Sequence, residues 1–427
     1  MTANRSQSHI GIHLKNSPLL PLPNSPRKLF VAALVTILAL LPIRGAAAQQ
    51  VDTAPLNRDP YVQEAFREYY NMDYDAALAR FQRIQAEHPN DPLATAFVLH
   101  VILFRELNRL DLLDTTFYAH DGFLTGKHTV VEDPKVRSQI KSLAQKVSDQ
   151  AGAELRRNPN DVNALFARGW ARSLQATYLA MVERSFSSAL RLALGAKDDH
   201  QRVLQLDPNY ADAKMVVGIY QYTVGALPFG FKLLFGFAGI HGSKSTGMAL
   251  LRDASEHGTI TSVEARTAMD LFLRRDAKYQ QAIVINQTLV SQYPHDFLFA
   301  LERANLSKDA GQGITAVNLY RDVIRDAQHP GYYKNAHVEL AYFGLGDSLR
   351  GQRQYQDAIG AYELGAFLPS TSPELKRRCL LAAGETYVLM HDHNKARSEY
   401  QNVLENGANS TQGELARKYM KSPYRGK

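Results

Sequence analysis

Two segments of the chain repeat each other and decide the fold: YQQAIVINQTLVSQYP at residues 279–294 and GITAVNLYRDVIRDAQ at residues 313–328. At a spacing of 34 residues Ala282 matches Ala316, and the large and apolar positions that follow coincide as well. A small residue here lets a second helix approach closely, and the larger residue one turn later fills the space beside it. Pro294 then ends the helix. The spacing predicts two-helix hairpins that follow each other without a gap.

The same pattern continues elsewhere in the chain. A closing proline is followed ten residues later by a small residue in Pro159 with Gly169, Pro208 with Gly218, and Pro294 with Ala304. Alanine-centred motifs recur as Tyr74-x2-Ala77-x3-Phe81, Tyr355-x2-Ala358-x3-Tyr362 and Ala396-x3-Tyr400. The arrangement resembles the tetratricopeptide repeat family in its degenerate form, because the single tryptophan, Trp170, does not occupy the family's usual tryptophan position. The resemblance implies an all-α protein, an α-solenoid of tetratricopeptide-like helical hairpins with an irregular apolar insert.

Composition and repeat regularity divide the chain into five segments. They are a signal peptide at 1–48, a linker at 49–57, a degenerate repeat region with inserts at 58–262, a regular repeat array at 263–410, and a capping helix with a tail at 411–427. We expect about seven or eight hairpins. An extra helix is predicted inside one hairpin, where an apolar helical stretch to Leu194 is followed by another from Ala196 to Leu206.

The first 48 residues have the pattern of an export signal. Arg27 and Lys28 precede an apolar run at residues 29–41, and Ala46-Ala47-Ala48 then supplies the small residues that a signal peptidase requires. The run is shorter than the roughly 20 residues that span a bilayer, which favours cleavage over the alternative of a retained anchor. The sequence predicts a secreted protein that is periplasmic or associated with the outer envelope.

Charge gives little support to nucleic-acid binding. The formal net charge is +7, but five of the 49 basic residues lie in residues 1–48, which contain no acidic residue, so 44 basic and 42 acidic residues remain. A nucleic-acid-binding protein would need a concentrated basic face. Cys379 is the only cysteine, so no disulfide can form within the chain. Its neighbours predict a buried position in a helix.

The segment 215–242 is the least ordinary part of the chain after the signal. Between Met215 and Ile240 it carries one charge, Lys232, and glycines with Pro228 break it into short pieces. Burial against neighbouring helices is the first interpretation, and an apolar surface that contacts lipid or a partner is the second. Through Gly225-Ala226-Leu227-Pro228 and Gly247-Met248-Ala249-Leu250-Leu251, the stretch also resembles a eukaryotic tetratricopeptide family associated with lipid droplets and inclusion-body clearance. That resemblance implies an apolar insert without catalytic residues.

Motifs of catalysis and cofactor binding are absent from the sequence, including His-Glu-x-x-His, Cys-x-x-Cys, Gly-x-Ser-x-Gly and Gly-x-Gly-x-x-Gly. Residues 239–246 have the look of a phosphate loop but lack the adjacent Gly-Lys pair and follow no strand, so the start of a helix is predicted there. His391-Asp392-His393 could form a weak metal pair, but it falls at a turn between helices, and His120-Asp121 is no stronger. We therefore predict no enzyme activity, no cofactor and no metal site.

The inner face of the solenoid is the expected binding surface, because the first helix of each hairpin lines a curved wall. The candidate partner-binding residues are Phe66, Tyr69, Tyr70, Tyr222, Arg274, Arg275, Asn305, Lys308, Asp347 and Arg350. Solvation or contact with a neighbouring hairpin is the alternative for each. Chaperone-binding members of the family hold a peptide carboxylate with lysine and asparagine. Here Leu301 stands where that lysine would accompany Asn305, so this function is not carried over.

These observations predict a non-catalytic, exported protein–protein interaction scaffold or assembly factor of the bacterial cell envelope, which binds a protein or an extended peptide. The alternative is a membrane-associated lipid-handling protein that uses the apolar segment 215–242. No nucleic-acid partner is expected, and a membrane surface could be a partner only through that segment.

Overall fold

The computed structural model describes residues 52–117, 130–227 and 241–426. Within these ranges the chain forms 17 α-helices, two short 3-10 helices at Pro55–Arg58 and Thr115–Phe117, and no β-strand. The α-helices are α1 (Pro60–Tyr70), α2 (Tyr74–Glu87), α3 (Pro92–Arg109), α4 (Pro134–Arg157), α5 (Val162–Met181), α6 (Phe186–Leu206), α7 (Ala211–Ala226), α8 (Lys244–His257), α9 (Ser262–Arg275), α10 (Tyr279–Gln292), α11 (Phe297–Asp309), α12 (Gly313–Ala327), α13 (Val338–Gly351), α14 (Tyr355–Phe367), α15 (Pro373–Leu389), α16 (His393–Glu405) and α17 (Thr411–Lys421). The predicted all-α class is confirmed.

Aspartate followed by proline sets several helix starts. Asp59, Asp91 and Asp133 each accept a hydrogen bond from the backbone N–H two residues later, and a proline occupies the first helical position after each of them. Helix α3 ends at Arg109 because Asp111 adopts a left-handed conformation, with φ of 57°. The chain therefore turns sharply at residues 110–111, and this turn directs the next residues toward the later repeats.

Within the described ranges, consecutive helices pair into eight hairpins, from α1 with α2 to α15 with α16, and α17 packs on the last pair. The odd-numbered helix is the first helix of each hairpin. Small residues lie at the crossings as predicted, because Ala282 and Ala316 are fully buried. A Cβ atom on Gly169 would lie 2.4 Å from His200 Nδ1, so α5 and α6 approach at a distance that only glycine permits. The fold is a solenoid of tetratricopeptide-like hairpins.

The hairpin of α5 and α6 differs from the prediction. Residues Phe186–Leu206 form one continuous helix, so the extra helix predicted here was wrong. Gly195 lies inside α6, where Arg172 of α5 packs beside it and donates a hydrogen bond to its carbonyl oxygen at 3.4 Å. An interior glycine costs only about 1 kcal/mol relative to alanine. The contact between two helices of 20 and 21 residues outweighs that cost.

Helix α3 is the most completely buried of the long helices described. Fifteen of its 18 residues are buried, and it packs against α2, α4 and α5. Its His100 also faces Glu264 of α9, with 3.6 Å between Nε2 and Oε1. A helix that is apolar on nearly all sides over its first 13 residues, 92–104, belongs in a core. The first two hairpins therefore close against the fifth hairpin, and the open curved wall expected from equal hairpins does not form in this half of the molecule.

Residues 215–226 of the apolar segment form the last 12 of the 16 residues of α7. Met215, Val217 and Tyr222 are buried there, which confirms the first interpretation for the portion up to residue 227. Residues 228–240 lie outside the described residues. None of the described helices combines the length and the apolar character needed to cross a membrane.

Candidate functional site

The ten predicted inner-face residues have three different environments. Lys308, Asp347 and Arg350 are half-buried, and Arg275 is exposed. The other six are buried, namely Phe66, Tyr69, Tyr70, Tyr222, Arg274 and Asn305. Each of these six residues keeps at most 8% of its accessible surface, so little of it is open to a partner in this conformation, and its role in binding stays a prediction. The other four remain candidates for partner binding.

The aromatic residues of α1 belong to a core cluster. The Phe66 ring centroid lies 5.6 Å from that of Phe97 and 6.4 Å from that of Trp170. The hydroxyl of Tyr70 donates a hydrogen bond to Glu264 of α9. Burial raises the pKa of Glu264 to about 7, although this hydrogen bond opposes the shift. Helix α9 thus covers the face of α1 that was expected to be open.

Tyr222 contacts the neighbouring hairpin, as its alternative interpretation predicted. Its ring stacks on Phe272 with 3.8 Å between centroids, and its hydroxyl donates to Asp276 Oδ1 at 3.0 Å. Lys244 pairs with the same Asp276 and is the first residue of α8. The described part of the phosphate-loop-like stretch therefore leads into a helix, as predicted.

Arg274 belongs to a buried polar network beneath residues 110–117, which we call the covering segment. Its guanidinium donates to Asp309 Oδ2 at 2.8 Å, to Glu302 Oε2 at 3.0 Å and to Thr115 Oγ1 at 2.6 Å. Burial lowers the pKa of Arg274, but Glu302 and Asp309 outweigh this effect and raise it above its ordinary value. Burial raises the pKa of Glu302. The covering segment therefore occupies the part of α9 and α11 where an extended peptide was expected.

Four charged side chains form a second arrangement on α11, α13 and α15, which we call the open ladder: Lys308, Asp347, Arg350 and Glu385. Lys308 Nζ lies 3.8 Å from Asp347 Oδ2, and Arg350 lies 3.3 Å from Asp347 and 2.9 Å from Glu385. All four side chains keep between 14% and 23% of their accessible surface. Positive and negative charges thus alternate across three successive first helices. Sequence reasoning missed Glu385, although it follows Arg350 by 35 residues, close to one repeat.

A third arrangement, the His337 cluster, joins distant parts of the sequence. It comprises Asp111 of the covering segment with His337 and Glu339 at the start of α13. His337 Nδ1 lies 2.7 Å from Asp111 Oδ1 and 3.2 Å from Glu339 Oε1. Burial lowers the pKa of His337, but the two carboxylates outweigh burial and raise it to about 9. Sequence reasoning predicted no metal site, and no spacing marks these three residues because only the fold brings them together.

Two other candidates have structural roles. Asp392 accepts a hydrogen bond from the Lys395 N–H at 3.0 Å and begins α16, so the His391-Asp392-His393 stretch lies at a helix turn as predicted. Cys379 is fully buried in α15, and burial raises the pKa of its thiol to about 12. A thiol with this pKa is not a nucleophile at neutral pH. His120-Asp121 lies outside the described residues.

The comparisons with known proteins give structural likeness without close kinship. No family model matches the chain, and no curated protein matches it. Its structure is similar to the crystal structure of the APC/C hetero-tetramer Cut9–Hcn1, with 12% identity, a TM-score of 0.48, and coverage of 88% of this chain but only 58% of that one. It is also similar to Pseudomonas aeruginosa pilF, with 14% identity, a TM-score of 0.36, and coverage of 58% and 98% of the two chains. A tetratricopeptide repeat protein from Parabacteroides merdae has 13% identity, a TM-score of 0.34, and coverage of 77% and 99%.

Proposed function

We propose that the protein is a non-catalytic scaffold that binds an extended peptide or the edge of a protein along the open ladder. The observation that carries the proposal is the alternation of Lys308, Asp347, Arg350 and Glu385 over three neighbouring helices, each partly accessible to solvent. Repeat proteins use such continuous faces for recognition. The covered half of the inner face, beneath residues 110–117, takes no part in this binding.

The chemistry of the ladder favours a partner that carries both acidic and basic side chains. Arg350 is held by Asp347 at 3.3 Å and by Glu385 at 2.9 Å, so its guanidinium is already oriented before a partner arrives. The Tyr362 hydroxyl donates to the same oxygen, Asp347 Oδ1, at 2.7 Å and so helps to fix the carboxylate. Preorganised charges reduce the entropy lost on binding, and their pattern selects the complementary partner.

The test is affinity capture from an envelope extract of the source organism with matched forms of the chain. Lys308→Glu with Arg350→Glu reverses both cations of the ladder. Arg325→Glu reverses an exposed cation of α12, a second helix, and is the control. A partner that is retained by the native chain and by the control, but lost from the ladder variant, supports the proposal. Equal retention by all three forms contradicts it.

We further propose that the scaffold acts outside the cytoplasm, in the periplasm or at the outer envelope. The proposal is supported by Arg27, Lys28 and the apolar run before Ala46-Ala47-Ala48. Expression of the full chain with N-terminal sequencing of the product tests it. A mature protein that begins at Gln49 and is released from the periplasm is expected, whereas an unprocessed chain that stays in the cytoplasm would contradict export.

A lipid-handling role is the alternative function, and it would have to use residues 228–240. The portion of the apolar segment before them is mostly buried, chiefly in α7, which leaves little of it available to lipid. Liposome flotation separates the two functions, because flotation that is abolished by Phe235→Asp with Phe237→Asp would favour lipid handling. A chain that does not float with liposomes removes this alternative.

A further inference from the structure

We propose that Asp111, His337 and Glu339 form a binding site for one divalent transition-metal ion of the Zn²⁺ type. This inference is independent of the open ladder and of the proposed scaffold function. It depends on the donor atoms, their burial and their unmet charge.

The donor set fits zinc better than the alkaline-earth cations. One imidazole nitrogen and two carboxylate oxygens lie within 4.8 Å of one another, so small side-chain movements bring all three to the roughly 2.0–2.2 Å that Zn²⁺ requires. Mg²⁺ and Ca²⁺ prefer ligand sets made of oxygen alone. Three protein ligands leave a fourth position for water, and the His337 side chain keeps 16% of its accessible surface toward solvent.

Burial gives the cluster a reason to hold a cation. Asp111 is 6% exposed, and among the described residues His337 is the one side chain within hydrogen-bond distance of its carboxylate, while Glu339 is fully buried. Among the described residues, no lysine or arginine lies within 4.0 Å of either carboxylate. A dication held between the two carboxylates would supply the positive charge that this buried site lacks.

Neighbouring hydrogen bonds hold Glu339 and the connector before His337 in place. Ser370 Oγ donates to Glu339 Oε2 at 2.8 Å. The connector before His337 is fixed by Asn335, whose side chain donates to the carbonyl oxygen of Met72 at 2.7 Å and whose own carbonyl accepts from Asn108 at 3.0 Å. Such partners orient metal ligands and raise affinity. A bound ion would fasten the covering segment to α13.

The experiment measures Zn²⁺ binding to the full chain after treatment with a chelator, by isothermal titration calorimetry. One equivalent of Zn²⁺ per chain is expected, with a rise in Tm of at least about 2 °C, while Mg²⁺ and Ca²⁺ give neither. His337→Gln and Asp111→Asn should each weaken binding at least about 10-fold. His391→Gln with His393→Gln removes a histidine pair at a helix turn and should leave binding unchanged. Circular dichroism verifies the fold of each variant.

Zinc-edge X-ray absorption of the native chain adds a test that no variant can confound. A single imidazole with oxygen ligands is expected, whereas two or more imidazoles would identify another site and overturn the proposal. The proposal is also overturned if no equivalent of Zn²⁺ binds, if folded His337→Gln and Asp111→Asn bind as tightly as the native chain, or if the control variant loses the ion.

Discussion

The inner faces of the first hairpins and of the last three hairpins derive from the same repeat but end in opposite environments. In the first hairpin, Phe66 and Tyr70 lie in an aromatic core that α9 covers. On α11, α13 and α15, Lys308, Asp347 and Arg350 form ion pairs that solvent reaches. The repeat therefore determines how the hairpins stack. The side chains on the first helix of each hairpin determine whether the inner face is covered or open to solvent.

The covering segment marks the boundary between the two regions. It follows α3, and its Thr115 contacts Arg274 of α9 at 2.6 Å. Beyond it, Lys308 on α11 begins the open ladder. The closed region should therefore be sensitive to the loss of single buried groups, whereas the open region should tolerate similar changes, and the following predictions measure that contrast.

Removal of Arg274 should have the largest effect. Arg274→Ala leaves Glu302 and Asp309 without their cation in a buried site, and we expect a loss of about 3–5 kcal/mol in the free energy of unfolding. Arg350→Ala is the matched change on the open ladder and should cost no more than about 1 kcal/mol, because its ion pairs are partly hydrated. Urea unfolding at neutral pH, followed by circular dichroism, measures both. Equal losses would remove the distinction between the two faces.

The second prediction concerns the pH dependence of the closed region. The folded-state pKa of Glu264 is about 7, above its ordinary value of 4.5. The folded state therefore binds more protons than the unfolded state between these values, so the contribution of Glu264 to stability is greatest below pH 4.5 and is lost as the pH rises through 7. Glu264→Gln should remove a decline on the order of 2–3 kcal/mol from the stability profile between pH 4.5 and 8.

Urea unfolding at a series of pH values tests this prediction. Asp296, which caps α11, provides a second case. Burial also raises its pKa to about 7, so its contribution to stability is likewise lost as the pH rises. Asp296→Asn keeps an oxygen that can accept the hydrogen bond from Phe299 N–H, so the cap can survive while the titration is removed. Unchanged slopes in both variants would show that these carboxyls do not hold their protons in the folded state.

The stacking of the hairpins depends on contacts between neighbouring helices, so the local spacing of residues was enough to predict it. Ala282, Ala316 and Gly169 each lie within one hairpin of the helix they meet, so their positions in sequence specify the contact. The closure of the first hairpin on the fifth could not be predicted in this way. Tyr70 and Glu264 are 194 residues apart, and their contact depends on small rotations that accumulate over four hairpins. The His337 cluster was missed for the same reason.

The third prediction concerns Gly169 of α5, where two helices approach closely. A Cβ on Gly169 would lie 2.4 Å from His200 Nδ1 and 3.0 Å from Asp199 Cβ, so Gly169→Ala must push α6 away from α5. The shift would also disturb Asp199, which accepts hydrogen bonds from Arg168 at 2.6 and 3.0 Å. Overpacking of this kind costs about 1–3 kcal/mol, which urea unfolding can resolve. A neutral result would mean that the two helices can separate without loss of packing.

A glycine in the second half should show the opposite sign and the smallest effect. Gly360 lies inside α14, and a Cβ built there would meet no atom within 4 Å, so Gly360→Ala gains helix propensity without a clash. We expect a gain of about 0.5–1 kcal/mol in the free energy of unfolding. Gly311 has the same open space but a φ of 74°, so Gly311→Ala should instead lose stability. If both substitutions change the free energy of unfolding in the same direction, then free space and backbone conformation do not determine the effect of an added Cβ at these sites. The contrast with Gly169 would then have no physical basis.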